Sequence, residues 1–385
     1  MREPKRSSLN LAGTRTLAAK QITKDQPAAD EIEISIFGPG LGEAIAVHLS
    51  GGRWILVDSC LDHFIGRSAP LIYFDAIGVR PNAAVDLVLA THWHDDHVSG
   101  IDQLVRECPA AHFFCSGALR CTEFVELLEL PVAVQGLHFT RGTAYIKKVY
   151  EEIGDRFNFA YASSRILQRS VTANGATVSI EGWALSPSQA EQILATRNLG
   201  ALVESLIGTA GIVPDRNPNH ASVALALLIG KDQILLGADL EETGDPLHGW
   251  SAVIASSTRP RPFAGTAFKV SHHGSKTGDH PGVWSQLLVP KPPACLSPYS
   301  KGGRVLPTAN DVQRIYTATD AAYITRERPF RRPASRRSSA AALMPQSLRR
   351  MVSPGHVRMR KKLDASSWDV RLFDEAVELR QFKTT

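Results

Sequence analysis

A loop crowded with metal-binding side chains, His92-Trp-His94-Asp95-Asp96-His97, constrains this chain more than any other part of its sequence. The loop directly follows a short apolar segment, Asp86–Ala90, which is typical of a buried β-strand. Residues two apart on an extended chain point to the same side, so His92 and His94 can share one metal ion. Asp96 and His97 then turn away and can face a second ion. The spacing therefore predicts a metal centre at the end of a buried strand.

Three further groups of polar residues also stand directly after apolar segments. Asp58 ends the segment Trp-Ile-Leu-Val, and Asp239 follows Ile-Leu-Leu-Gly-Ala. The third group, His272-His273-Gly274-Ser275, follows the segment Ala267–Val270. Taken singly, an aspartate after a strand is more often a turn residue. The order of all these groups, each after a predicted buried strand, favours one shared site.

This arrangement resembles the metallo-β-lactamase superfamily, whose H-x-H-x-D-H motif lies in a loop after a strand. The resemblance covers residues 31–325. It implies an α+β fold, an αββα sandwich of two mixed β-sheets flanked by helices. It also implies that Asp58 organises the loop through hydrogen bonds and that Asp96 is the catalytic residue that orients the nucleophile. The metal ligands that it implies are His92, His94, Asp96, His97, Asp239 and His272.

Two motifs narrow the resemblance. The His-His-Gly-Ser group, together with Asn219-His-Ala-Ser ahead of an apolar strand, resembles the metallo-β-lactamase-like domain of competence DNA-uptake channels of the ComEC type, here without the membrane channel. The usual third histidine of the first metal site is not evident, and His220 is the candidate for its place, with a surface residue as the alternative. Spacing does not decide which of His272 and His273 binds metal. The superfamily pattern favours His272, which leaves His273 to bind metal or substrate.

The implied activity is that of a metal-dependent hydrolase in which two divalent ions activate a hydroxide, with phosphodiesters as substrates, as in a nuclease. Nitrogen-rich ligation favours zinc, and the added carboxylates also admit manganese or iron. The alternatives are a small-molecule hydrolase of the same fold, acting on a lactone, a thioester or a small phosphodiester, and a non-catalytic binding protein that retains the fold. The candidate substrate contacts are Asn219, Lys269 and Ser275.

Positive charge is concentrated near the end of the chain. The net charge is only +5, yet residues 325–362 contain twelve lysines or arginines and one acid, Glu327. Such blocks repel themselves and resist compaction, and they attract anionic partners. The sequence thus predicts a disordered lead-in over 1–30, a hydrolase domain over 31–325, a basic flexible segment over 326–362 and a C-terminal hairpin over 363–385 that packs on the main domain. Nucleic acid is the candidate partner of the basic segment.

Composition excludes several classes of protein. A hydrophobic content of 43% with 21% charged residues is typical of a globular chain and excludes collagen and coiled-coil proteins. The longest uncharged apolar run, Ala221–Ile229, is shorter than the ~20 residues of a membrane span. Five cysteines without CxxC spacing, and a start without an apolar signal core, predict a cytoplasmic protein with no membrane partner.

Overall fold

Two eight-stranded sheets form the centre of this computed structural model. The structure describes residues 25–384 apart from 39–41, 63–64, 123, 125–140, 209–217, 257, 259–263, 302 and 329–354. The strands of the first sheet are β1 (Glu31–Gly38), β2 (Ala44–His48), β3 (Trp54–Val57), β4 (Val85–Ala90), β5 (His112–Ser116), β6 (Phe157–Ala160), β16 (Gly355–Lys362) and β17 (Asp369–Phe373). Their order is β17-β16-β1-β2-β3-β4-β5-β6, with β3 to β6 parallel and the other pairs antiparallel.

The second sheet is also mixed. Its strands are β7 (Ser164–Ala173), β8 (Ala176–Ala184), β9 (Leu225–Ile229), β10 (Asp232–Leu236), β11 (Ala267–Lys269), β12 (Ala294–Leu296), β15 (Ala322–Ile324) and β18 (Val377–Glu378). Their order is β18-β15-β12-β11-β10-β9-β8-β7, and β10, β11, β12 and β15 are parallel. A separate two-stranded sheet pairs β13 (Tyr299–Lys301) with β14 (Arg304–Leu306).

Helices cover the outer faces of both sheets. They are α1 (Ala69–Ile77), α2 (Pro81–Ala84), α3 (Asp95–Val98), α4 (Ile101–Glu107), α5 (Arg141–Ile153), α6 (Gln189–Gly208), α7 (Gly249–Ala255) and α8 (Ala309–Ala318). One apolar cluster fills the space between the sheets, and two more lie between a sheet and its helices. The αββα sandwich predicted from the sequence is therefore confirmed. Among the described residues, no helix is both long and apolar enough to cross a membrane.

Local sequence explains how these elements form. In β1, Ile32, Ile34 and Ile36 alternate with polar residues, so the isoleucines enter the core between the sheets while Glu33 lies on the opposite face. Helix α8 begins after Thr308, whose hydroxyl accepts a hydrogen bond from the Asp311 N–H while the Asp311 carboxylate caps Thr308 in return. Both patterns are visible in the sequence.

The predicted flexible basic segment, 326–362, differs from the structure at its end. Residues 355–362 form β16, which is paired with β1 over all eight residues. Arg360 is bound by Glu33 at 2.6 Å and by Asp25 at 2.8 Å, and Lys361 forms an ion pair with Asp232 of the second sheet. The carboxylates of distant residues thus offset the repulsion that suggested flexibility. The part over 329–354 lies outside the described residues, as do residues 1–24 of the predicted lead-in.

The expected C-terminal hairpin also differs from the structure. Strand β17 pairs with β16 in the first sheet, whereas β18 pairs with β15 in the second sheet. The chain end therefore packs on both sheets and connects them instead of folding back on itself.

Candidate metal centre

The loops after β4, β10 and β11 bring four side chains around one point. The Nε2 atom of His273 lies 3.3 Å from Oδ2 of Asp239 and 3.4 Å from Oδ2 of Asp96. The Nε2 atom of His97 lies 3.4 Å from Oδ1 of Asp239 and 4.0 Å from Oδ2 of Asp96. These side chains are almost completely buried, except that Asp96 is 15% exposed. The arrangement can hold a metal ion between two carboxylates and two imidazoles.

A second group of ligand atoms adjoins the first. The Nε2 atom of His92 lies 3.1 Å from Nδ1 of His94. Ligand atoms of His92, His97 and Asp239 all lie within 4.8 Å of one another. His97 and Asp239 therefore belong to both groups, and a carboxylate in the position of Asp239 would be available to an ion held by either group.

Unpaired polar atoms provide a test of whether these residues fit a metal ion. Among the described residues, the buried atoms Nε2 of His97, Oδ1 of Asp239 and Nε2 of His273 have no hydrogen-bond partner. An unsatisfied buried polar atom costs about 1–3 kcal/mol. Because these three atoms face one another, a divalent cation between them would satisfy all three. The residues present fit the metal that the sequence predicts.

Asp58 orients two of the imidazoles. Its Oδ2 accepts a hydrogen bond from Nδ1–H of His97 at 2.7 Å, and its Oδ1 accepts one from the Thr91 N–H. The Thr91 hydroxyl also donates to Asp58, so its oxygen can accept the Nδ1–H of His92 at 3.0 Å. Both His92 and His97 consequently present Nε2 to the site, which is how outer hydrogen bonds commonly orient metal ligands.

A second chain of contacts supports His273. Its Nδ1 lies 3.2 Å from the Ser297 carbonyl oxygen, and the Ser297 hydroxyl donates to Glu43 at 2.6 Å. Glu43 in turn lies 2.5 Å from Nζ of Lys269, which is 3.8 Å from Asp239. Lys269 and Glu43 thus form a buried ion pair directly behind the ligand atoms.

Burial and neighbouring charges set the charges of the site. Burial alone would raise the pKa of Asp96, but the adjacent imidazoles of His273 and His97 hold it well below its usual range. Burial alone would lower the pKa of His273, yet Asp239 and Asp96 raise it to about 9. The pKa of His97 is likewise raised against burial by Asp239 and Asp58. The carboxylates thus favour the positively charged forms of His97 and His273, and a bound metal ion would supply positive charge in their place.

The backbone at the site is strained. Asp58, Ala238, His272 and His273 have φ angles of 60°, 44°, 47° and 52°. Such left-handed conformations of residues other than glycine cost of order 1–3 kcal/mol each and cluster at functional sites. Of these residues, Asp58 and His273 have side chains that contact the ligand cluster.

The structure separates the two adjacent histidines, which the sequence could not. His273 faces Asp96 and Asp239, whereas Nε2 of His272 lies 3.3 Å from Nδ2 of Asn219. Nδ1 of His272 lies 3.1 Å from Glu241. The ligand position expected of His272 is therefore occupied by His273 in the described geometry.

The other predicted residues have different surroundings. Asn219 lines the cavity beside the ligand cluster, whereas its neighbour His220 does not. Lys269, predicted as a substrate contact, is fully buried and donates to the Ala238 carbonyl oxygen, so it has no surface for a substrate. Ser275 is also buried, with its hydroxyl oxygen accepting a hydrogen bond from the Thr277 N–H.

The ligand cluster opens into a cavity of about 400 Å³, within the ~300–1,000 Å³ range of small-ligand pockets. Several residues that line this cavity were not predicted from the sequence. Glu241 follows Asp239 by two residues and could have been found from that spacing. Four more belong to the strand pair β13–β14 and carry no motif, namely Tyr299, Lys301, Arg304 and Leu306.

Residues 38–120 match the family described as Metallo-beta-lactamase superfamily. The matched range contains Asp58 and the whole loop from His92 to His97. A search of curated proteins finds no match to the chain.

Proposed function

Because a metallo-β-lactamase superfamily domain is present in this chain, we propose that the protein is a metal-dependent hydrolase of phosphodiesters. The observation that carries this proposal is the convergence of unpaired buried atoms of His97, Asp239 and His273 on one point. The proposed ligands are His92, His94 and Asp239 for one ion and Asp96, His97, Asp239 and His273 for the other. Zinc suits the histidine-rich set, with manganese and iron as alternatives.

The protein's own residues have distinct roles in this proposal. Bound divalent ions would act as Lewis acids and supply a nucleophile from water at neutral pH. Asp96 is the most exposed of the clustered carboxylates, at 15% against 3% for Asp239, so its free edge can accept a hydrogen bond from the attacking water. Asp58 and Ser297 keep the imidazoles of His97 and His273 in place. Preorganised groups of this kind reduce the reorganisation needed during reaction.

Two features support phosphodiesters as the substrate class. The sequence around Asn219 and His272 resembles the domain found in DNA-uptake channels. Two cations, Lys301 and Arg304, also line the cavity together with Asp96. A phosphodiester carries the negative charge that these cations attract, whereas a lactone or an uncharged thioester does not.

The experiment is hydrolysis by protein reconstituted separately with zinc, manganese and iron. Bis(p-nitrophenyl) phosphate, single-stranded and double-stranded oligonucleotides, a lactone and a thioester form the panel. Turnover of phosphodiesters, abolished by chelation and restored by metal, supports the proposal. Turnover of the lactone or thioester alone would assign a small-molecule hydrolase. No turnover of any substrate by metal-loaded protein would favour a non-catalytic binding protein.

We also propose nucleic acid as a partner, but the described part of the basic segment, 326–362, supports this less than the sequence suggested. Arg326, Arg358, Arg360 and Lys361 are ion-paired with carboxylates. Their charges are therefore already offset within the fold. Six other arginines of the segment lie outside the described residues, namely Arg331, Arg332, Arg336, Arg337, Arg349 and Arg350.

A further inference from the structure

The strand pair β13–β14 extends the site beyond the metal ligands. Strand β13 begins three residues after Leu296, the last residue of β12. Leu296 is buried, so the start of β13 is held close to the carboxyl end of that strand of the second sheet. The ring of Tyr299 packs against His273, with ring centroids 5.4 Å apart. Two strand residues span about 7 Å, which places Lys301 a short distance farther from the metal ligands than Tyr299.

At the other end of the pair, two cations stand opposite each other. Lys301 and Arg304 are partners in the β13–β14 register. Like charges directly opposite on neighbouring strands are destabilising. Lys301 lies 3.8 Å from Asp95, but no carboxylate among the described residues lies within 4.0 Å of the Arg304 guanidinium. The repulsion across the pair is thus offset only in part by the described protein, and an external anion would offset the rest.

Both cations line the cavity that contains the metal ligands. Lys301 and Arg304 are exposed, whereas His273 and Asp239 at the inner end are buried. The cations therefore form the solvent end of the cavity. Because the cavity is continuous, a single ligand can reach both the cations and the candidate metal ligands.

We propose that Lys301 and Arg304 form a subsite for a second phosphate of the substrate, adjacent to the phosphate that is hydrolysed. The inference rests on the proposed function, because it takes the inner end of the cavity as the place of hydrolysis. It names the substrate class more narrowly: a substrate with at least two phosphates in sequence, as in a nucleic-acid strand. The guanidinium of Arg304 can bind phosphate with two parallel hydrogen bonds, and Lys301 adds a point charge.

The kinetic test compares substrates that differ by one phosphate. Dithymidine monophosphate is hydrolysed with and without an additional terminal phosphate, placed in turn at the 5′ and the 3′ end. For the wild type, kcat/KM should be about tenfold higher with the added phosphate at one of the two ends, as expected for one charge-assisted contact. In the double variant Lys301→Gln/Arg304→Gln, this ratio should fall to about one. An unchanged ratio in the double variant would overturn the subsite.

A matched control removes the same charge elsewhere. Lys291 precedes β12, so it lies at the end of that strand opposite the site. Arg371 lies on β17, the edge strand of the first sheet. Both side chains are more than half exposed, and neither lines the cavity. The variant Lys291→Gln/Arg371→Gln should keep the wild-type ratio. A ratio that falls equally in both double variants would indicate a general effect of net charge and would overturn the subsite.

A binding test separates the subsite from the proposed activity. Fluorescence anisotropy measures binding of labelled decathymidylate to Asp96→Asn protein at several salt concentrations. Each phosphate contact on a single strand contributes about 0.7 to the log–log salt slope. Because the two cations share one phosphate, adding Lys301→Gln/Arg304→Gln should lower the slope by about 0.7, and adding the control pair should not. If the wild type hydrolyses no phosphodiester, the proposed function fails, and the slopes still decide whether the cations bind phosphate.

Discussion

The Nε2 atom of His273 lies 3.3 Å from the Asp239 carboxylate, whereas the imidazole of the preceding residue, His272, lies against Asn219 and Glu241. Both histidines have left-handed backbone angles, so consecutive side chains enter different surroundings. This relationship assigns the late ligand of the candidate centre to a single residue, and it can be tested by replacing either histidine.

We expect His273→Ala to lose one metal ion per chain and His272→Ala to retain the wild-type content. The reason is that only His273 places a ring nitrogen beside both Asp96 and Asp239. Elemental analysis of the two purified variants after identical reconstitution gives the answer. Loss of metal from His272→Ala, with full content in His273→Ala, would reverse the assignment.

Asp96→Asn should lower kcat at least about a hundredfold, as expected for loss of a group that acts on the reacting centre. Asp95 provides the matched control. Its carboxylate lines the same cavity, accepts a hydrogen bond from the Gly142 N–H at 2.6 Å and lies 3.8 Å from Lys301. Among the described residues it belongs to no group of candidate metal ligands, so Asp95→Asn should retain kcat within a few-fold. Steady-state kinetics on the best phosphodiester measures both variants, and circular dichroism verifies their folding. Equal activity of Asp96→Asn and Asp95→Asn would contradict the role given to Asp96.

The loops that carry the site were predictable because each follows a strongly apolar strand. Asp58, His92 and Asp239 could be located in this way, and the structure brings them into one cluster. The choice between His272 and His273 could not be made from the sequence. It depends on the backbone angles of the two histidines, which cannot be read from composition or from the spacing of motif residues.

Long-range pairing explains where the sequence interpretation was wrong. The residues of β16 alternate polar and apolar side chains at His356, Val357, Arg358 and Met359, which is strand period, but the density of positive charge favoured a flexible segment. The carboxylate of Asp25 lies more than 330 positions earlier in the chain. Such a pairing becomes evident only once the fold brings the two segments together.

The buried pair of Lys269 and Glu43 should contribute strongly to stability. Lys269→Met leaves the carboxylate of Glu43 buried without its cation, which typically costs 3–5 kcal/mol of the free energy of unfolding. Adding Glu43→Gln removes the uncompensated charge and should recover part of the loss. Urea unfolding of the two variants measures both effects. If Lys269→Met were as stable as the wild type, the pair would carry no such role.

Stability should fall in mild acid through His48. Burial, reinforced by the positive charge of Arg360, lowers the pKa of His48 to about 4 from its usual value near 6.5. Between these values the unfolded chain binds a proton that the folded chain does not. Above pH 6.5 the neutral His48 therefore costs no stability, and the free energy of unfolding decreases as the pH falls toward 4. At pH 5 this decrease amounts to about 2 kcal/mol.

The measurement is urea unfolding at pH 7.5 and pH 5 for the wild type and for His48→Asn. The free energy of unfolding should change between the two pH values by about 2 kcal/mol less in His48→Asn than in the wild type, because asparagine does not titrate. His112, an exposed histidine at the start of β5, provides the control, and His112→Asn should behave as the wild type. An identical pH dependence in His48→Asn and the wild type would exclude His48 as the cause.

The metal content of the purified, reconstituted wild-type protein tests the central claim most directly. Two groups of candidate ligands share His97, and Asp239 lies within 3.4 Å of both His97 and His273. Unpaired buried atoms of these three residues face one another. Elemental analysis after reconstitution with zinc or manganese and removal of free metal should give close to two ions per chain. Protein that retains no zinc, manganese or iron under these conditions would contradict the metal centre and the hydrolase proposed from it.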